Sequence, residues 1–442
     1  MKKRDLFRVG LLLSLLCLLT ICAISCGAGE NAPATTAPEA PASEEPSFEP
    51  TPEVTEPYVV DTASVGVIGD ILIHETNYNS ARRADGTYDF TENYTLVQPY
   101  LSKYDYTVAN LEVTLGGEKP AVGRYPSAYP LFNCPDSIVD ALKGAGVDLL
   151  LTANNHSYDT RTAGMLRTVQ VVRDKGLEYL GTRDDLNESF YKVKDLNGIK
   201  IGMACFTYST VSSSGVKALN GITMDRDAGP YVSSFAYNRL DEFYAEAEKA
   251  IAEMKQGGAE FIMFYLHWGD EYRYSPNTYQ KTIAAKLCEL GVDVIVGGHP
   301  HVIQPFETIT APNGNETLCI YSTGNAISNQ RKFLMDSDNY SGHTEDGMIF
   351  GVTFERWSDG KVRLSEVNIE PLWVTREPEG GRQVYRIIPL DLAVSDWHSF
   401  ALDDRLVADA KASYNRTMAL VGTGLNAARE KLGLAPVPVT VS

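Results

Sequence analysis

Basic side chains are scarce in this chain. Its 442 residues carry 39 Lys and Arg against 57 Asp and Glu, a formal charge of −18. The first 25 residues hold Lys2, Lys3, Arg4 and Arg8 against Asp5, a local +3, so the remainder carries −21. A surface this acidic repels nucleic acid and argues against DNA or RNA as a partner. It suits a solvated extracellular protein or one that binds divalent cations. Cysteine is scarce as well: after Cys26 only Cys134, Cys205, Cys288 and Cys319 follow, far apart and mostly within apolar runs. They read as buried core thiols. No CxxC pair marks a zinc site, and no disulfide framework is expected in a domain this large. Internal repeats are lacking too. Apolar residues are not: at 44% they can fill a sizeable core.

The amino terminus carries an address. A basic stretch from Lys2 to Arg8 precedes an apolar run from Val9 to Ile24, short for a spanning helix and typical of a secretory leader. It ends in Ala23-Ile24-Ser25-Cys26-Gly27. Small residues before a cysteine resemble the lipobox of bacterial lipoproteins, with Ala23 where leucine is usual, and Cys26 would become the lipidated first residue. The alternative is an uncleaved anchor with Cys26 a bystander; both place the domain outside the cytoplasmic membrane. Residues 27–57 contain seven prolines and seven glutamates and almost nothing apolar, so they cannot bury a core and read as an extended tether. The expected organisation is a signal peptide (1–25), a tether (26–57), a main domain (58–340) and C-terminal strands with a helical tail packed on it (341–442).

From Ser64 onward the chain alternates apolar strand-like runs with amphipathic stretches. The runs are Val65–Ile68, Tyr106–Ala109, Val147–Leu151, Ile199–Phe206, Phe261–Leu266, Val292–Val296 and Leu318–Tyr321. Helices are expected over Ser137–Lys143, Thr162–Lys175, Asn238–Gln256 and Thr278–Leu290. Continuous apolar strands separated by helices imply sheets covered by helices, an α/β fold. Later runs (Met348–Glu355, Val362–Ile369, Val384–Ile388) alternate, and a helical tail follows from about Ser395 to Leu432.

The polar residues at the ends of these runs carry the chemistry. Asp70 follows the first run, Asn110 and Glu112 the second, and Asn154-Asn155-His156 the third. His267 with Glu271, and His299-Pro300-His301, follow two more. Five of the seven histidines (His74, His156, His267, His299, His301) lie in these segments. Each alone has an ordinary reading: Gly69-Asp70 as a turn, Asn154-Asn155 as a helix cap, His267 as a core histidine. Together they place ligand-type side chains at one sheet edge, where α/β proteins bind ligands. Imidazole and carboxylate without thiolate suit Mn²⁺, Fe or Zn²⁺, one ion or two. A carboxylate shared by two ions would activate a water and polarise a phosphoryl or acyl oxygen.

Residues 64 to about 330 resemble the bacterial capsule-synthesis CapA/PgsA family (poly-γ-glutamate capsule), itself similar to calcineurin-like metallophosphoesterases. The resemblance rests on six motifs in order: Val67-Ile68-Gly69-Asp70, Asn110-Leu111-Glu112, Ala153 to Asp159, His267 to Tyr272, Gly298 to Gln304, and Tyr321 to Asn325. It implies a metallophosphoesterase-like layered sandwich with a C-terminal β and helical extension. It also implies Asp70 and His301 at one metal, His267 and His299 at a second, Glu112 as the bridge, Asn155 as a ligand and His156 as the general acid. Asn110 and Glu271 are expected at the substrate. Leu72 stands where the phosphoesterases have a histidine, and His74 lies two residues beyond it. Two functional classes follow from the resemblance. One is a surface-anchored metal-dependent hydrolase acting on a phosphoester or γ-glutamyl amide. The other is a non-catalytic assembly scaffold that binds an anionic capsule-like polymer beside membrane synthase subunits.

Overall fold

Alternation along the first strand sets the layers. Ala63, Val65 and Val67 enter one apolar core while Ile68 and Ile71 enter another, so the strand is buried on both faces. The structure, a computed structural model, describes residues 56–336, 341–394 and 396–442. The expected leader, Cys26 and nearly all of the tether lie outside the described residues.

From the amino end, β1 (Val59–Ile71) is followed by three short helices, α1 (Glu75–Ala81), α2 (Thr91–Tyr94) and α3 (Gln98–Leu101), then β2 (Tyr106–Leu111). Next come α4 (Ser137–Ala145), β3 (Leu149–Leu151), α5 (Arg161–Asp174) and β4 (Glu178–Leu180). The second half opens with β5 (Tyr191–Leu196), β6 (Ile199–Val211) and the small strands β7 (Lys217–Leu219), β8 (Ile222–Thr223) and β9 (Ser234–Ala236). α6 (Leu240–Gln256), β10 (Phe261–His267), α7 (Thr278–Leu290) and β11 (Val294–Gly298) follow. The chain then runs through β12 (Phe306–Thr310), β13 (Glu316–Ile320) and β14 (Asn325–Ile327) to β15 (Asp346–Trp357), β16 (Val362–Glu379), β17 (Arg382–Pro389) and α8 (Asp404–Lys431).

The fold is α/β, as expected. An eight-stranded sheet has the order β17-β16-β15-β1-β2-β3-β4, with β14 also paired to β1. A nine-stranded sheet has the order β12-β13-β11-β10-β6-β7-β8, with β5 and β9 paired to β6. The sheets face each other across a core that joins Val65, Val67 and Val108 to Met203, Cys205, Met263 and Tyr265. Leu142 of α4 and Val169 of α5 cover the outer face of the first sheet. Ile251 of α6 and Ile283 of α7 cover that of the second. Helix–sheet–sheet–helix layering buries every apolar strand face, so each strand in the middle reads as a continuous apolar run.

The C-terminal strands belong to the first sheet: β15 runs antiparallel to β1 from Val59↔Trp357 to Ile68↔Ile349. α8 buries Leu406, Ala410, Tyr414, Met418, Val421 and Leu425, a helical stripe that enters the inter-sheet core. Its contacts reach β16 of one sheet and β12 of the other, closing one side of the sandwich. Arg416 fixes it there with a bidentate pair to the buried Asp346 at 2.6 and 2.7 Å. The four cysteines of the domain are buried and free. His398 is exposed, and His343 is half-buried against Tyr274 with ring centroids 4.4 Å apart. No described helix is long and apolar enough to cross a membrane.

Candidate metal centre

Parallel pairing aligns the ends of four strands. Asp70 is in register with Asn110 of β2 on one side and Asn325 of β14 on the other. In the second sheet His267, the last residue of β10, is level with Gly298 at the end of β11. Asp70, Asn110 and His267 therefore lie within their strands and not just beyond them, because added partners such as β14 extend the ladder. Close approach of the two sheets needs Gly298, and close packing of β11 on the chain after β13 needs Gly297. A Cβ on Gly297 would sit 2.0 Å from the Tyr321 carbonyl oxygen, and one on Gly298 would sit 2.7 Å from Asp70 Oδ1.

Glu112 is the centre of the arrangement. It is fully buried, and both of its carboxylate oxygens lack a hydrogen-bond partner. Its Oε1 lies 3.2 Å from His267 Nε2 and 3.8 Å from His301 Nε2. Two groups of ligand atoms share it: Glu112, His267 and His299, and Asp70, Glu112 and His301. Asn155 Oδ1 lies 2.8 Å from His267 Nε2, which adds a fourth donor to the first group. Buried carboxylate oxygens and the His299 Nδ1, also without a partner, represent uncompensated desolvation that a cation would relieve. Nitrogen and oxygen donors of this kind fit Mn²⁺, Fe or Zn²⁺.

Neighbouring groups hold the ligands in place. Asp70 Oδ1 accepts from Asn110 Nδ2 at 2.7 Å, and its Oδ2 accepts from the His299 backbone N–H at 3.1 Å. Asn110, expected at the substrate, commits its amide to Asp70 and Asn154 and so acts as a brace. Asn325 donates through Nδ2 to the carbonyls of His301 and Thr344 and to Gln330 Oε1, which leaves Oδ1 to face His301 Nδ1 at 3.1 Å. A proton on Nδ1 satisfies that contact, and Nε2 faces Glu112. His299, His301 and Tyr272 have φ of 96°, 56° and 61°, left-handed conformations that non-glycine residues adopt only when their surroundings impose them.

Burial would raise the Asp70 carboxyl, yet the His301 hydrogen bond and the charges of His267 and His301 hold it below the ordinary range. Burial opposes charge on His301 too, but Glu112 and Asp70 lift it to about 9. Burial pushes His299 well below its usual value, reinforced by His267 and His301. At His156 burial is outweighed by Asp159, whose Oδ2 lies 2.8 Å from Nδ1, and the net shift is upward. Asp159 Oδ2 also accepts from the Phe132 N–H at 2.7 Å, and the Phe132 ring meets the His156 ring edge-on at 4.7 Å.

The remaining expected residues divide. Glu271 is exposed at the rim, where its charge acts on His301 and Tyr272. Trp268 is fully buried with Nε1 donating to the Tyr321 carbonyl, a packing residue. His74 caps α1 and lies edge-on to Phe132 at 5.4 Å; burial lowers it to about 4, and it joins neither ligand group. It does not replace the histidine missing at Leu72. Two contributors carried no role in the sequence reading. Asp159 follows His156 by one helical turn. Asn220, at the tip of the β7–β8 hairpin, brings Nδ2 to 3.4 Å from His156 Nδ1. The Asn220-Gly221 pair between Leu219 and Ile222, both at positive φ, is a signal for such a two-residue turn.

Residues 64–330 match the model of the family described as bacterial capsule synthesis protein PGA_cap. The chain belongs to this family. Among similar proteins of the capsule synthesis family, the capsule biosynthesis protein CapA of Bacillus anthracis is 28% identical over 269 residues, 60% of this chain and 59% of that one. The PGA biosynthesis protein CapA of Bacillus subtilis is 27% identical over 286 residues, 63% of this chain and 67% of that one. A probable polyglutamine synthesis accessory protein of Mycobacterium tuberculosis is 24% identical, covering 46% and 51%. The chain thus spans about three-fifths of the Bacillus anthracis relative. Among solved structures, the NAD nucleotidase of Haemophilus influenzae superposes with a TM-score of 0.42 at 13% identity, over 84% of this chain and 66% of that one. A purple acid phosphatase from yellow lupin seeds superposes with a TM-score of 0.33 at 13% identity, over 69% and 53%.

Proposed function

We propose that this capsule synthesis family member is a lipid-anchored, metal-dependent hydrolase at the outer face of the cytoplasmic membrane. Its substrate would be the γ-glutamyl amide of an anionic capsule-type polymer, or a phosphoester, handled beside membrane synthase subunits. The observation that carries the reading is the Glu112 carboxylate, buried without hydrogen-bond partners between two histidine-containing ligand groups. The names of the Bacillus relatives, capsule and PGA biosynthesis proteins, support the polymer. Asp70, Glu112 and His301 would hold one ion, and Glu112, Asn155, His267 and His299 the other. Divalent ions bound there would acidify a water and draw charge from the oxygen of the scissile group. His156, held through Nδ1 by Asp159, keeps Nε2 for giving a proton to the leaving group. A charge of −21 outside the leader repels a polyanion, so contact with such a polymer would need metal ions or a local basic patch between them.

Metal analysis of the purified full chain, with hydrolysis of bis(p-nitrophenyl) phosphate and γ-glutamyl p-nitroanilide, tests this reading. Metal-dependent turnover of one of them, lost on chelation and in His299→Gly, is expected; glycine suits the φ of 96° at that position. A metal-replete chain that hydrolyses neither sinks the enzyme reading. Leu72 favours a second reading, a polymer-binding scaffold with a reduced metal site, and metal-dependent retention of poly-γ-glutamate without hydrolysis would support it.

A further inference from the structure

The two ligand groups are not equivalent, although Glu112 belongs to both. Around His267 and His299 four side chains offer donors, of which His267 Nε2 and Asn155 Oδ1 are hydrogen-bonded only to each other across the site. Both Glu112 oxygens and His299 Nδ1 lack partners, and His267 Nε2 lies 2.8 Å from Asn155 Oδ1 and 3.2 Å from Glu112 Oε1. Four side chains from three strand ends and the Asn154-Asn155-His156 turn meet at one point. Around Asp70 three side chains offer donors, and both oxygens of Asp70 itself already accept hydrogen bonds. Asp70 Oδ1 accepts from Asn110, its Oδ2 accepts from the His299 N–H, and His301 Nδ1 lies 3.3 Å from that same oxygen. Leu72, buried, adds no donor, and His74 turns its Nδ1 to the Asn329 N–H at 3.2 Å. A cation on this side would have three side chains, one of them an Asp shared with existing hydrogen bonds.

We infer that the two half-sites load in order: one ion is held tightly by Glu112, Asn155, His267 and His299, and a second binds weakly and exchangeably at Asp70 and His301. The inference rests on the metal-site reading above and adds to it a fixed inequality between the halves. It makes the Asp70 side the half that empties first, so the second ion can arrive with substrate or leave with product while the first stays.

Equilibrium dialysis of the chelator-treated full chain against Mn²⁺ reads out the inequality without any activity assay. Two classes are expected, the first roughly a hundredfold tighter than the second, the span that changes in ligand environment typically produce. Asp70→Asn, which keeps the shape, should abolish the weak class and leave the tight one within about threefold. His299→Gly should abolish the tight class, and Asn155→Ala should weaken it by roughly tenfold or more, so that a folding failure in one variant does not decide the matter. Two equal classes overturn the inference, as does loss of the tight class in Asp70→Asn. No bound Mn²⁺ at all contradicts the metal-site reading itself, a different result from equal classes.

Discussion

Asp159 Oδ2 lies 2.8 Å from His156 Nδ1, with both residues buried, and one turn of chain separates them. A carboxylate so placed sets the tautomer of the ring and favours its charged form. Asp159→Asn removes the charge and keeps the volume. The His156 pKa then falls, because burial is no longer opposed. A general acid acts in its protonated form, so the alkaline limb of kcat/KM should move to lower pH. The plateau should fall roughly a hundredfold, within the range for general-acid catalysis. A pH–rate profile on whichever substrate is turned over checks this. An unmoved alkaline limb would remove His156 from the acid role.

Arg416 and Asp346 join α8 to the start of β15, next to the Asn325 support of His301. The Asp346 side chain is 2% exposed and also accepts from Ser413. Arg416→Met leaves that carboxylate buried without its counter-charge and should cost about 3 kcal/mol of stability at neutral pH. Burial already raises the Asp346 pKa, so protonation can replace the lost partner and the cost should shrink in acid. Urea denaturation at pH 7.5 and pH 5 measures both. Equal costs at the two pH values would count against the assignment.

Asp293, half-buried at the far end of the second sheet, has its carboxyl raised by burial from 3.8 to about 6 while it accepts from the Ile262 N–H at 2.7 Å. The folded state therefore binds a proton more readily than the unfolded state. This group's contribution declines as pH rises from about 4 to about 6 and stays low above that. Asp293→Asn keeps the acceptor and removes the ionisation. It should add about 1–2 kcal/mol at pH 7.5 and much less at pH 4.5. A gain that does not depend on pH would point to a different cause.

If Cys26 carries the lipid proposed above, Cys26→Ser removes its attachment point. Labelled palmitate should mark the wild type and not the variant. A wild type that takes up no palmitate and keeps its leader intact would favour the uncleaved anchor.

Much of the centre could be read from strand ends alone. Asp70, Glu112, Asn155, His267, His299 and His301 each close an apolar run or follow one directly, and parallel strands can only aim such residues at one edge. Supports that come from short or irregular pieces could not be read this way. β14 is three residues long, yet it places Asn325 beside Asp70. The alternating run read from the sequence ends at Ile369, two residues before Pro371, a residue type that weakens strand pairing. β16 continues to Glu379, with Pro371 opposite Met348 and the stretch beyond it paired to β17. Asn110 carried the right residue type for substrate contact. Only the geometry shows its amide already spent on Asp70 and Asn154.

Divalent-ion binding by Glu112→Gln tests the account at its centre, because one carboxylate is held to serve both ions. The amide keeps the size and removes the shared charge. Dialysis against Mn²⁺ should show both classes of site weakened by roughly tenfold or more relative to wild type. An isotherm matching the wild type would contradict the shared carboxylate, and with it the reading of this site as a metal centre built around Glu112.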